Sequence, residues 1–325
     1  MSAGFAAAVT ALTGRPLGGD EALAVAVSGG PDSLALLLLA HAAFGARVRA
    51  VTVDHGLRAA AADEAAMVAS LAASLGIPHV TLRWDAPHPA GNLQAAARAA
   101  RYRLMGGWCA ANGVGWLVTG HHAGDVAETL LLRLARGSGS VGLSGIRARR
   151  CLQPGVELIR PLLGMTKAGL ARIVADAGWT AIDDPSNRAA RFDRTHARKL
   201  LAATPWLDAA RLAASAAHLA EAEAALTWAA DAAWHGRAVV AADSVMLDAA
   251  GLPRELTRRL LLRAVATLVP GMPPRGSAID RLLTYLAMES GGTIGGVAVR
   301  QIGNYWRCTI TAPRRKSAGD AAGRR

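Results

Sequence analysis

Cysteine is scarce in this chain: Cys109, Cys151 and Cys308 stand far apart, and no C-x-x-C pair occurs. A zinc ribbon, an iron–sulfur site or a dithiol relay therefore lacks ligands, and three reduced thiols fit a cytoplasmic protein. Long apolar runs are missing too. The best candidate, "LALLLLAHAAFGA", is interrupted by His41 and bounded by Asp32 and Arg47, too short for a bilayer. No basic residue precedes Arg15, so the opening "MSAGFAAAVTAL" lacks the charged start of a secretory signal and reads as a helix packed on the first strand. No internal repeat is visible. Acids are outnumbered, 24 Asp and Glu against 36 Lys and Arg, a formal charge of +12. With no membrane span, that excess points to a polyanionic partner, a nucleic acid or a membrane surface.

What is present is a long alternation. Apolar strand candidates are "LAVAV" (23–27), "RVRAVTV" (47–53), "HVTLRW" (79–84), "WLVTG" (116–120) and "VELIR" (156–160), with helix-period segments over 34–44, 63–75, 93–111, 125–135 and 167–177. A hydrophobic content of 52% against 18% charge excludes wholesale disorder. The order predicts an α/β fold, a doubly wound parallel sheet covered on both faces, with ligands beyond the carboxyl ends of its strands.

Beyond residue 203 the character changes. Thr204 and Pro205 make a helix start, and no breaker appears before Gly236, which predicts one connecting helix over 204–236, on the order of 45 Å long. Leu212, Leu219 and Leu226 recur on it every seven residues, leaving a packed stripe and a homodimer seam both open. Residues 237–312 read as a small α+β module with a hairpin turning at Gly303 and Asn304, and 313–325 as a basic disordered tail.

The polar turn "SGGPDS" (28–33) lies between the first strand and the first leucine-rich helix. Gly29 and Gly30 allow an anion to reach main-chain N–H groups, Ser28 and Ser33 add hydroxyls, and the helix starting near Asp32 points its positive end at the turn. An ordinary turn capped by Asp32 and Ser33 has the same local pattern. Asp32 repels a bare phosphate unless Mg²⁺ sits between them, which favours a metal-chelated nucleotide. No lysine follows at Walker A spacing.

Further motifs follow at later strand ends: "VDHGLR" (53–58), "GNLQAAARAARYRLM" (91–105), "TGHHAGDVAETLLLRLARGSGSVGLSGI" (119–146), "RPLLGMTKAGL" (160–170) and "DDPSNRAARFDRTHARKLL" (183–201). Arg98 and Arg101 stand i, i+3 on one helix, a pairing that suits phosphate or an RNA backbone. Asp125 and Glu128 fall in the first turns of the next helix, before the glycine- and serine-rich stretch "RGSGSVGLSG", read as a flexible loop. The arginines of 188–199, interleaved with Phe192 and His196, suit an RNA-facing surface.

In this order the segments resemble the tRNA(Ile)-lysidine synthetase family of PP-loop ATP pyrophosphatases, over roughly residues 21–201. Two positions depart from the family pattern: Gly124 replaces an acid, and Thr195 replaces an asparagine. The resemblance implies ATP and Mg²⁺ use, tRNA(Ile) with a CAU anticodon and free L-lysine as partners, and ligation through an adenylated tRNA. It places Ser28, Gly29, Gly30, Pro31, Asp32 and Ser33, with Val53 and His55, on the nucleotide. Arg98, Arg101, His121 and Lys167 offset charge on the α-phosphate, and Asp32 and Asp125 hold the metal. Asp125, Glu128 and Asp184 are alternatives for holding or deprotonating lysine. Arg160, Asp184, Asn187, Arg191, Arg194 and Arg198 face substrate or tRNA. The domains expected are a catalytic unit at 1–203, the connecting helix and a tRNA-binding module at 237–312. The competing readings are another PP-loop tRNA-modifying enzyme and an inactive RNA-binding relative.

Overall fold

A computed structural model describes the chain except for residues 57–60, 86–90, 92, 183–192, 272–275, 289–290 and 312–325. It divides into two compact units, Met1–Glu221 and Ala222–Arg325. The first contains α1 (Ser2–Thr13), β1 (Leu23–Ala26), α2 (Pro31–Phe44), β2 (Val48–Asp54), α3 (Ala61–Ser74), β3 (His79–Arg83), α4 (Leu93–Ala111), β4 (Trp116–Val118), α5 (Ala123–Ala135), α6 (Ser140–Leu143), β5 (Arg149–Gln153), β6 (Val156–Ile159), α7 (Lys167–Asp176) and α8 (Asp193–Ala203).

Its sheet runs β3-β2-β1-β4-β6-β5, and the first five strands are parallel. Alternation along β1 decides which layer each side chain joins. Leu23 and Val25 enter the core with α1, α2, α3 and α7, while Ala24 faces Tyr102, Met105 and Cys109 of α4. The leucine run of α2 is buried nearly all round, which explains a helix with no polar stripe.

Two expectations need correction here. The sheet is not wholly parallel, because β5 pairs antiparallel with β6 through a turn at Pro154 and Gly155, where φ is +78°. The stretch expected to be a flexible loop holds the short helix α6, and the Arg133 guanidinium donates to the carbonyls of Gly142 and of Gly145, the latter at 2.9 Å.

The long helix α9 (Ala209–Arg237) starts four residues later than Pro205 predicts, because Asp208 is its cap: Oδ1 accepts the Arg211 amide at 2.9 Å. Its residues fall on both sides of the division between the units. Leu212 and Leu219 pack with Ala123, Val126 and Leu130 of α5, which takes them into the chain's own core. Further along, Ala230 and Trp234 join the core of the second unit.

That unit adds β7 (Ala238–Val240), β8 (Ser244–Asp248), α10 (Arg254–Leu268), α11 (Gly276–Met288), β9 (Gly291–Ile294), β10 (Val297–Ile302) and β11 (Tyr305–Ile310) in an antiparallel sheet of order β7-β8-β11-β10-β9. Gly303, with φ +58°, turns the predicted hairpin, pairing Ile302 with Tyr305. Arg259 ties α10 to α9 through Glu223 at 2.7 Å.

Candidate active site

Where β1 ends, Val27 still donates its amide to the Val51 carbonyl at 2.9 Å. The chain then turns through Ser28, Gly29 and Gly30 into α2, with Pro31 in its first turn, where a missing N–H costs nothing. Gly29 has φ +80°, a left-handed conformation that favours glycine, and the Ile182 side chain packs over it. The Ser33 hydroxyl closes the turn, accepting the Ser28 amide at 3.1 Å and donating to the Gly30 carbonyl at 2.9 Å. The amides of Gly29, Gly30 and Asp32 find no acceptor among the described residues, a ready cradle for phosphate oxygens. Asp32 stands beside it. Its Oδ1 is buried with no partner among the described residues, which fits a cation supplied from outside.

Val53 continues the site on β2. Val27 bonds Val51 while Trp84 bonds Asp54 at 2.9 Å, so alternate residues of β2 address β1 and β3, and Val53 faces the β1 side. The last β1 partner pair is Ala26 with Val51, so Val53 lies past that ladder and its main chain opens on the cleft. His55 follows, with its ring edge-on to Trp84 and its Nε2 accepting the Arg101 Nε–H at 3.4 Å.

The turn from β4 into α5 packs directly on the glycine turn. A Cβ on Gly120 would come within 2.9 Å of the Asp32 carbonyl oxygen, so only glycine permits this approach. His122 caps α5: its Nδ1 accepts the Gly124 amide at 2.9 Å, and its own amide donates to Asp125 Oδ2 at 3.1 Å. Burial opposes a charge on His122, yet Asp32, Asp125 and Glu128 outweigh it and raise the pKa. Protonation on Nδ1 would sacrifice the Gly124 bond.

His121 is the opposite case. Burial drives it down to about 3; Asp125 opposes the shift, and the guanidiniums of Arg160, Arg98 and Arg194 reinforce it. Arg160 Nε–H donates to His121 Nδ1 at 3.3 Å, leaving the ring proton on Nε2. His121 is therefore a neutral N–H donor. Between pH 6.5 and about 3 the unfolded chain binds the extra proton, so stability is lost as pH falls below 6.5, by up to about 1.4 kcal/mol per pH unit. Urea unfolding at a series of pH values measures this slope. His121→Asn retains an acceptor for Arg160 and flattens it; an unchanged slope assigns the acid sensitivity elsewhere.

Glu128 is buried one turn beyond Asp125. Its Oε1 accepts Arg198 Nε–H at 2.6 Å, whereas Oε2 is buried with no partner among the described residues. Arg194 lies 3.8 Å from Asp125 Oδ1. Because α8 packs on α5, Arg194 and Arg198, one turn apart, meet the two acids of α5. Both arginines thus meet α5 carboxylates while their side chains remain partly exposed.

Arg160 is only 4% exposed, and its Nη1 donates to the Arg147 carbonyl at 2.5 Å. Arg98 and Arg150 lie over the Tyr102 ring at 5.2 and 4.7 Å. Lys167 opens α7 behind the Thr166 cap. One cleft of about 2160 Å³ gathers all these groups, more than a single small-molecule pocket requires. Ten Arg and Lys and four Asp and Glu line it among the described residues, so its field suits a polyanion. Every described candidate except Gly29, whose role is in the turn's backbone, lines that cleft. Asp184, Asn187 and Arg191 lie outside the described residues. Sequence reasoning missed Gly120, His122, Arg147 and Arg150. The doubled histidine was a visible signal for His122, whereas the arginines emerged only with the β5–β6 hairpin.

A parallel sheet whose first strand ends in a serine- and glycine-rich phosphate cradle is the architecture of a PP-loop ATP-using enzyme, and the family model described as a PP-loop domain matches residues 3–204. Within that class the tRNA(Ile)-lysidine synthase of Zymomonas mobilis is 42% identical over 316 residues, covering 96% of this chain and 95% of that one. The tRNA(Ile)-lysidine synthase of Novosphingobium aromaticivorans is 44% identical over 296 residues, 90% of each chain. The chain belongs to the tRNA(Ile)-lysidine synthase family. Among solved structures, the U34-tRNA thiolase NcsA from Methanococcus maripaludis matches with a TM-score of 0.54 at 16% identity, over 67% of this chain and 78% of that one, a likeness of fold alone.

Proposed function

We propose that this enzyme ligates free lysine to C2 of the wobble cytidine in the CAU anticodon of tRNA(Ile), using ATP and releasing AMP and pyrophosphate. The observation that carries the reading is a pair of buried carboxylate oxygens in one basic cleft, Asp32 Oδ1 and Glu128 Oε2, each without a partner among the described residues. The first suits a cation on a nucleotide, the second an ammonium or amine.

The cytidine O2 attacks the α-phosphate, and the bond to pyrophosphate breaks. The free amides of Gly29, Gly30 and Asp32 hold the departing phosphates. Asp32 is the residue that would hold Mg²⁺, and when bound the ion offsets phosphate charge, since such sites take one or two carboxylates and complete their shell with phosphate and water. Asp125 is the weaker candidate, because Oδ2 is committed to the helix cap and Oδ1 faces Arg194. Arg160 and the Nε2–H of His121 offset charge at the α-phosphate, with Arg98, Arg101 and Lys167 around them.

The lysine amine then attacks C2 and displaces AMP. With a reference pKa of ~10.4 it has to reach the carbon neutral. Glu128, desolvated and held by Arg198, receives the ammonium and orients it, with Asp125 beside it, and the proton shed before attack passes to one of these carboxylates. The +12 charge serves tRNA docking, and binding weakens steeply with salt. The test is pyrophosphate release and nucleoside mass with ATP, labelled lysine and CAU tRNA. Release that requires the tRNA, together with a nucleoside heavier by lysine, is expected. Release without tRNA, or incorporation of sulfide, would sink the reading.

A further inference from the structure

The two turns that meet at the nucleotide site are bridged by a side chain with no role in the reaction just described. His122 is 7% exposed, and its Nε2 lies 3.5 Å from Asp32 Oδ2 and 3.8 Å from Asp125 Oδ2. Its Nδ1 accepts the Gly124 amide, so the ring proton is on Nε2, the atom between the two carboxylates. Asp32 is thereby asymmetric: one oxygen faces an imidazole N–H, and the other is buried without a partner among the described residues.

The ring is buried over Gly124. A Cβ at position 124 would lie 2.6 Å from His122 Cε1 and 3.0 Å from Nδ1, so the imidazole occupies the space a side chain there would take. Gly120, whose missing side chain lets this turn rest against the Asp32 main chain, keeps the two turns in contact.

We propose that His122 is the positioning residue for Asp32: its Nε2–H holds one carboxylate oxygen so that the other stays directed at the cation accompanying the nucleotide. The inference rests on the ATP-site reading above. Outer-sphere partners that orient a ligating side chain are worth about 10- to 100-fold in metal affinity when removed.

Two variants separate this role from helix capping. Asparagine places an acceptor near Nδ1 and remains a good cap, but its amide does not reach Asp32. Glutamine extends a donor toward the Nε2 position and loses the cap. Calorimetry with ATP, in excess Mg²⁺ and in EDTA, is run on wild type, His122→Asn and His122→Gln, with melting temperatures alongside. In His122→Asn the expected result is an unchanged melting temperature, Mg²⁺-free ATP binding within about twofold, and Mg²⁺–ATP binding weakened about tenfold or more. His122→Gln recovers most of that loss although it melts lower. Equal loss with and without Mg²⁺, wild-type affinity in His122→Asn, or no recovery in His122→Gln overturns the proposal. A wild type that binds no ATP overturns the parent reading as well, so the two failures are distinguishable.

Discussion

Asp32→Asn lowers tRNA- and lysine-dependent turnover by on the order of a thousandfold while the protein stays folded. The change preserves shape and removes only charge. Oδ1 is buried without a partner among the described residues, so the substitution breaks no protein contact at that atom, and the melting temperature holds or rises. The nucleotide data carry the sign: Mg²⁺–ATP binding weakens, and Mg²⁺-free ATP binding holds or tightens because a carboxylate no longer faces the phosphates. Calorimetry with and without Mg²⁺, alongside pyrophosphate release, checks both halves. An Asp32→Asn enzyme with more than a tenth of wild-type turnover would remove the carboxylate from the mechanism.

Glu128→Gln gives the second large effect, and it falls on the other substrate. The buried carboxylate bonds Arg198 through Oε1 and leaves Oε2 for an ammonium. A charge-assisted hydrogen bond is worth about 1.5–3 kcal/mol, so the KM for lysine rises roughly 10- to 100-fold. The adenylation half-reaction, read as pyrophosphate release from ATP and CAU tRNA without lysine, stays near wild type. A loss confined to adenylation would move Glu128 to the nucleotide and leave Asp125 or Asp184 for lysine.

These two carboxylates show how legibility divides. Asp32 was readable from its turn, because glycines, serines and a helix start within six residues form a local device that needs nothing distant. Glu128 was readable only as one of three candidates. What distinguishes it is burial and a bond from Arg198, seventy positions away in the chain. The same holds for Arg194 and Arg198: their spacing marked one helix face, but what that face meets is set by α8 packing on α5. Helices α3, α4, α5 and α7 followed from periodicity because each buries one side, and α2 from its apolar run. Strand β5, with "RRCLQ" at an exposed edge, has no such run and was not expected. The start of α9 was misplaced because Thr204 with Pro205 and Asp208 both satisfy capping rules, and the choice between them was not local.

By itself, then, the chain's order of residues determined the class of fold, the nucleotide turn and the family, since those depend on short-range patterns of burial, backbone freedom and hydrogen bonding. Tertiary structure decided which acids are paired and which are left open, why His121 is neutral, and that His122 occupies the space beside Gly124. Burial and electrostatic coupling arise between segments far apart in the chain, so their consequences exist only once the sheet has brought those segments together.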